Sequence, residues 1–297
     1  MDSELRVTAR PELERPVLIA AFRGWNDGAQ AASLAAGYLA RLWGADQIAD
    51  VDPEGFFDFQ ATRPHVSLVE GITRQIDWPE TAFYHANLPA LDRDVVLLLG
   101  IEPNVRWRTF TSLVVDHAKE LGVELVVTLG ALLADVPHTR PSPVTGSASN
   151  EELVKELGLS TSRYEGPTGI VGVLHDACNK AGMPSASLWA AVPHYVSLTP
   201  SPRAASALCE RLARLLGISI ETGELDRAAE TYEEQVSQAV ASDEETAAYV
   251  EELERRADTI EDEFELPSGD ALAAELTRYL REREGGNGES GPRGPAG

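Results

Sequence analysis

Val17 to Phe22 is an unbroken apolar run, long enough for a buried strand and too short for a helix of its own. A polar break, Gly24-Trp25-Asn26-Asp27-Gly28, follows it. From Ala29 to Trp43 the apolar spacing lengthens to that of a helix, with Leu34, Tyr38 and Leu42 on one face. Gln47 to Val51 predicts a second, weaker strand. Between Asp52 and Asn87 the pattern becomes irregular and then alternates with period two over His65–Val69, Ile72–Ile76 and Thr81–Ala86, an antiparallel excursion of hairpin strands. Asp94 to Leu99 is apolar enough to be buried on both faces, as is Glu124 to Leu129, and a helical pattern over Thr109–Leu121 lies between them. Strand, helix and strand in this order require a right-handed crossover and hence a parallel sheet.

The same alternation continues further along the chain. Val136 to Ser149, rich in Pro, Ser and Thr, reads as a long loop, and Asn150 caps a helix through Leu157. Thr168–Ala181 predicts a helix, Ser187–Val192 a strand and Ala204–Leu216 a helix. Residues 1–222 therefore form an α/β core with a mostly parallel sheet. Residues 223–284 form an acidic helical extension. Leu225–Val240 and Glu244–Phe264 are its first two helices, with a thin seam at Tyr249, Leu253 and Ile260, and Asp270 caps a last helix. Residues 285–297 have nothing to pack and are expected to be disordered.

Charge narrows the partners. The net charge is −23, and residues 224–297 carry 21 acids against 7 arginines. Nucleic acid and anionic membrane surfaces would be repelled. No apolar run approaches the roughly 20 residues of a membrane helix, and the N-terminus has no secretory pattern, which predicts a cytoplasmic protein. Cys178 and Cys209 fall in helical patterns without metal or C-x-x-C spacing and read as buried free thiols.

Loops leaving the carboxyl ends of parallel strands are where such sheets place ligands. Four segments belong there. Trp25, Asn26 and Asp27 stand between glycines, where Asn26 or Asp27 could cap the next helix or face a ligand or partner. Arg106 and Arg108 flank Trp107 and suit either a carboxylate or phosphate fork or ion pairs with the chain's own acids. His138 and Arg140 open the Pro-rich loop, and His194 follows the last strand. The histidines show neither His-x-x-His nor His-Glu-x-x-His spacing, and there is no G-x-S-x-G elbow.

GWNDGAQAAS at 24–33, LLLGIEPNVRWR at 97–108, TLGALLADVPHTRPSPVTGSASNEEL at 128–153, GPTGIVGVLHDAC at 166–178 and PHYVSLTPSPRAASALCERLARLLGI at 193–218 together resemble the proteasome-assembly-chaperone family, in the form found in archaea and actinobacteria. The resemblance spans about residues 15–222. It implies a three-layer α/β/α sandwich of nucleoside-phosphorylase-like type. It also implies a protein that binds protein partners, proteasome-related ones among them, and assembles as a homo-oligomer, a trimer by analogy with fold relatives. It carries over no catalytic residue, cofactor or metal. The eukaryotic chaperones favour a hydrophobic-tyrosine tail, whereas this sequence ends Gly-Pro-Ala-Gly and adds an acidic extension. Two other readings stay open. One is an enzyme acting on a nucleoside or another small molecule, with Arg106, Arg108 or Arg140 holding an anion and His138 or an acid handling protons. The other is an extension that mimics nucleic acid or recruits a basic partner.

Overall fold

The computed structural model describes residues 4–69, 72–88, 93–162, 164–196 and 200–263, with the backbone alone from 260. The last helix expected from Asp270 and the tail 285–297 lie outside these residues. In chain order the strands and helices are β1 (Leu5–Val7), β2 (Val17–Arg23), α1 (Ala31–Leu42), β3 (Asp46–Val51), β4 (His65–Val69), β5 (Thr73–Asp77), β6 (Thr81–Ala86) and β7 (Val95–Ile101). They continue with α2 (Trp107–Glu120), β8 (Leu125–Ala134), β9 (Val144–Ala148), α3 (Glu151–Leu157), α4 (Ile170–Lys180) and β10 (Ser185–Pro193). Three helices close the described chain: α5 (Pro202–Leu216), α6 (Gly223–Val240) and α7 (Glu244–Glu263).

One sheet runs in the order β1-β3-β6-β7-β2-β8-β10-β9. Its four central strands, β7, β2, β8 and β10, are parallel. The flanks are antiparallel. The apolar runs are central because a strand buried on both faces has no polar side to offer water. Alternate residues of β2 feed two cores. Val17, Ile19 and Ala21 pack with α1 and α5, while Leu18, Ala20 and Phe22 pack with α2 and α4. The result is the expected three-layer α/β/α sandwich.

Several details depart from the sequence pattern. The buried side of α1 is an alanine face, Ala31, Ala32, Ala35 and Ala36 with Leu39, and Leu42 is exposed. Small side chains let this helix lie close on the sheet, so bulk was the wrong guide to its buried stripe. β6 joins the main sheet, between β3 and β7. Only β4 and β5 form a separate hairpin. The segment expected to be one loop from Val136 to Ser149 contains an edge strand, β9, paired antiparallel to β10 from Val144↔Ala190 to Ala148↔Ala186. Its composition hid it, because an edge strand tolerates Ser, Thr and Gly that a central strand would not. Asn150 caps α3 as expected, accepting from the Leu153 N–H at 2.9 Å. Both cysteines are buried and free, and burial pushes their thiols up to about 11 for Cys178 and about 12 for Cys209.

Candidate functional site

Parallel register brings the carboxyl ends of the central strands to one rim: Arg23 aligns with Ile101, and Ala134 with Pro193. The loop after β2 is stitched across this rim, with the Ala131 N–H donating to the Asn26 carbonyl at 2.9 Å. Asp27 turns inward, and its Oδ1 accepts from the N–H groups of Ala32 and Ser33 at 2.8 and 3.2 Å. It thus caps α1, where the helix dipole favours an anion. Burial raises its carboxyl, and the hydrogen bonds from Ser33 and Ala32 oppose that rise.

Glu102, just past β7, joins three segments. One carboxylate oxygen accepts from the Trp25 N–H at 3.1 Å and the other from the Ile170 N–H, at the start of α4, at 2.8 Å. Gly24 makes this possible. Its φ is +144°, and a Cβ there would stand 2.8 Å from the Glu102 Cβ.

The remaining predicted residues sit at two separate places. Arg106, in the left-handed region at φ 57°, pairs with Glu4 at 2.6 Å and lies over the Phe56 ring, while Arg108 is exposed on the first turn of α2. His138, Arg140 and His194 lie beneath the extension. The His138 backbone N–H and Nδ1 each stand 2.9 Å from the Tyr195 hydroxyl, and its Nε2 stands 2.9 Å from the Ser237 hydroxyl of α6. Burial lowers the His138 pKa. Arg140 forks Asp258 of α7 at 2.7 and 3.0 Å and reaches Glu254 at 3.6 Å. His194 lies 3.3 Å from Asp135, which also accepts from the Tyr249 hydroxyl at 2.8 Å. Asp27, Arg106 and Arg140 are therefore not gathered in one crevice. Each has its own internal partner.

Open space lies elsewhere. On the α2/α4 side of the sheet, between α4 and the β9 edge, is a cavity of about 430 Å³. Trp25 and Asn26 reach it from the rim. Ser187 and Trp189 of β10 and Ser147 of β9 form its floor, and Tyr164 adds to its lining.

The PAC2 family profile matches residues 21–240, from within β2 to the end of α6. The chain belongs to the PAC2 family. A PAC2 family protein from Streptomyces avermitilis MA is 48% identical over 79% of this chain and 99% of its own, with a TM-score of 0.73. A proteasome-assembly chaperone homologue from Mycobacterium tuberculosis is 46% identical over 79% and 99%, with a TM-score of 0.72. An archaeal proteasome activator from Pyrococcus furiosus shares the fold at 20% identity, covering 79% and 97%, with a TM-score of 0.65. No curated protein matches the chain.

The PAC2 rim was largely legible as a set of loops, and Trp25 and Asn26 do border a cavity. His175, Tyr164, Ser147 and Trp189 were missed as lining residues. Reading 136–149 as a loop removed the β9 floor from view. One local signal was available: Ser147 and Ser187 would stand opposite one another once β9 is paired to β10, and they share a hydrogen bond at 3.2 Å. No helix of the described residues is long and apolar enough to cross a membrane.

Proposed function

We propose that this PAC2 protein is a cytoplasmic protein-binding, assembly-chaperone-like molecule that works as a homo-oligomer, catalyses no reaction and engages proteasome-related partners. The observation that carries this reading is the β4–β5 hairpin. Val66, Leu68, Val69, Ile72, Ile76 and Trp78 are all exposed large apolar residues, Ile72 at 86% and Leu68 at 60%. An isolated two-stranded hairpin is marginal in water, and several large apolar side chains exposed on one hairpin mark a protein contact. At its base Phe59 meets Trp78 edge-on at 4.8 Å between centroids. A second copy of the chain is the first occupant expected there.

The relatives described as a proteasome-assembly chaperone homologue and a proteasome activator support the choice of partner class. The internal pairing of Arg106, Arg140 and Asp27 supports binding over catalysis at the rim. The negative charge of the chain supports a protein partner over nucleic acid or an anionic membrane.

Sedimentation velocity tests the proposal. At micromolar concentration the chain is expected to run as a multiple of 32.1 kDa. The double substitution Leu68→Glu with Ile72→Glu is expected to yield monomer with unchanged circular dichroism. A wild-type chain that sediments only as monomer removes the oligomeric part. A double variant that stays oligomeric removes the hairpin as its interface.

A further inference from the structure

The cavity beside α4 has a chemistry that the protein-binding reading does not use. Its volume, about 430 Å³, falls within the roughly 300–1,000 Å³ of small-molecule sites. Its floor follows from strand register. Ser187 and Trp189 point to the α4 side of β10, while Leu188, Ala190 and Val192 point into the core beneath α1 and α5. Trp189 stands beside Gly130 of β8, and its indole occupies the space a side chain there would need: a Cβ on Gly130 would come within 2.6 Å of the ring. The glycine thus lets a flat aromatic surface floor the cavity. Trp25 and Tyr164 add two further rings to its lining.

Between the rings the lining is rich in hydroxyls. Ser147 and Ser187 share one hydrogen bond, so each keeps capacity for another partner. Ser160, Ser162 and Thr145 also face the space. Asn26 is 5% exposed, and its Oδ1 has no hydrogen-bond partner. That oxygen lies against Gly169, where a Cβ would stand 2.0 Å from it. His175 is held between the Thr128 hydroxyl at 3.0 Å and the Ser185 hydroxyl at 2.9 Å, and burial keeps its ring neutral. Asp176 is paired with Lys180 at 2.6 Å. Among the described residues no arginine or lysine lines the cavity.

Aromatic surfaces with hydroxyls between them suit one ligand chemistry. We infer that this cavity binds a polyhydroxylated small molecule with a flat apolar face, of about nucleoside or disaccharide size. Rings of this kind stack on a base or on the apolar face of a sugar, and the hydroxyl lining meets the ligand's own hydroxyls. The inference stands whether or not the protein assembles through its hairpin.

Isothermal titration of the full chain with adenosine and uridine in one arm, and with maltose and trehalose in the other, separates the two sources of that chemistry. At least one arm is expected to show saturable one-to-one binding. Ser162→Trp and Asn179→Trp, two separate changes at exposed lining positions, are each expected to weaken binding at least tenfold while leaving the melting temperature in place. Absence of binding in both arms overturns the inference. So does full affinity in a folded Trp variant.

Discussion

Glu102 shows how one side chain can organise a rim. Its two oxygens tie the loop after β2 to the start of α4. Hydrogen bonds to a charged acceptor each contribute about 1.5–3 kcal/mol, and an N–H left without its acceptor adds a desolvation cost. The bond to Trp25 is exposed and water can replace it, so Glu102→Ala is expected to lower the unfolding free energy by about 2–4 kcal/mol, measured by urea denaturation. Glu102→Gln, which keeps one acceptor oxygen, is expected to lose about half as much. Equal stability of all three proteins would show that water replaces the carboxylate. The two donors to Glu102 come from residues 77 and 68 positions away, a separation that no local pattern reports.

At the scale of elements, the extension closes over the rim. α6 buries Leu225, Ala229, Tyr232 and Val236, and α7 buries Val250 and Leu253. Two buried aliphatic residues are a thin seam for a helix of 20 residues. The polar contacts of Glu254, Asp258 and Tyr249 with Thr139, Arg140 and Asp135 orient that helix more than they stabilise it, because exposed ion pairs contribute little. Leu253→Asp is expected to release α7 alone. Hydrogen exchange of its amides should rise by roughly ten- to a hundredfold, while the amides of β2 and β8 keep their protection. Equal loss in the sheet would mean that α7 is part of the cooperative core. Of this seam the sequence showed Leu253; it placed the half-buried Tyr249 beside it and missed Val250, and the side chain of Ile260 lies outside the described residues. The seam's landing place, above His138, Arg140 and His194, was not visible, because a helix pattern shows that a face is buried without naming what buries it.

For the whole molecule, buried titrating groups set the response to acid. Burial lowers His175 to about 4, and it lowers His138 and His117 as well. A histidine whose folded pKa lies below its ordinary 6.5 takes up its proton more readily in the unfolded chain. Stability is therefore whole above pH 6.5 and falls as pH drops towards 4. His175 alone carries up to about 3 kcal/mol of this loss, less to the extent that solvent enters the cavity it borders. Asp27 works in the opposite sense, since its raised carboxyl favours the folded state as pH falls. Urea midpoints at pH 7.5 and 4.5 check the balance. The wild-type midpoint is expected to fall on acidification, and His175→Gln is expected to reduce that fall. An unchanged slope in the variant would mean that His175 stays protonated inside the fold.

The hydrophobic pattern by itself determined the α/β class, the buried central strands, the two cores on opposite sides of β2 and the helical nature of the extension. These follow from short-range periodicity and from the need to bury apolar surface. Tertiary structure decided the rest. It drew β9 out of a polar segment by offering the free edge of β10. It placed Trp189 across Gly130 and separated Arg106 from Arg140. It also set the cavity beside α4, whose lining includes neither Arg106 nor Arg140. Such outcomes depend on which strand edges and helix faces meet, and those meetings join residues far apart in the chain.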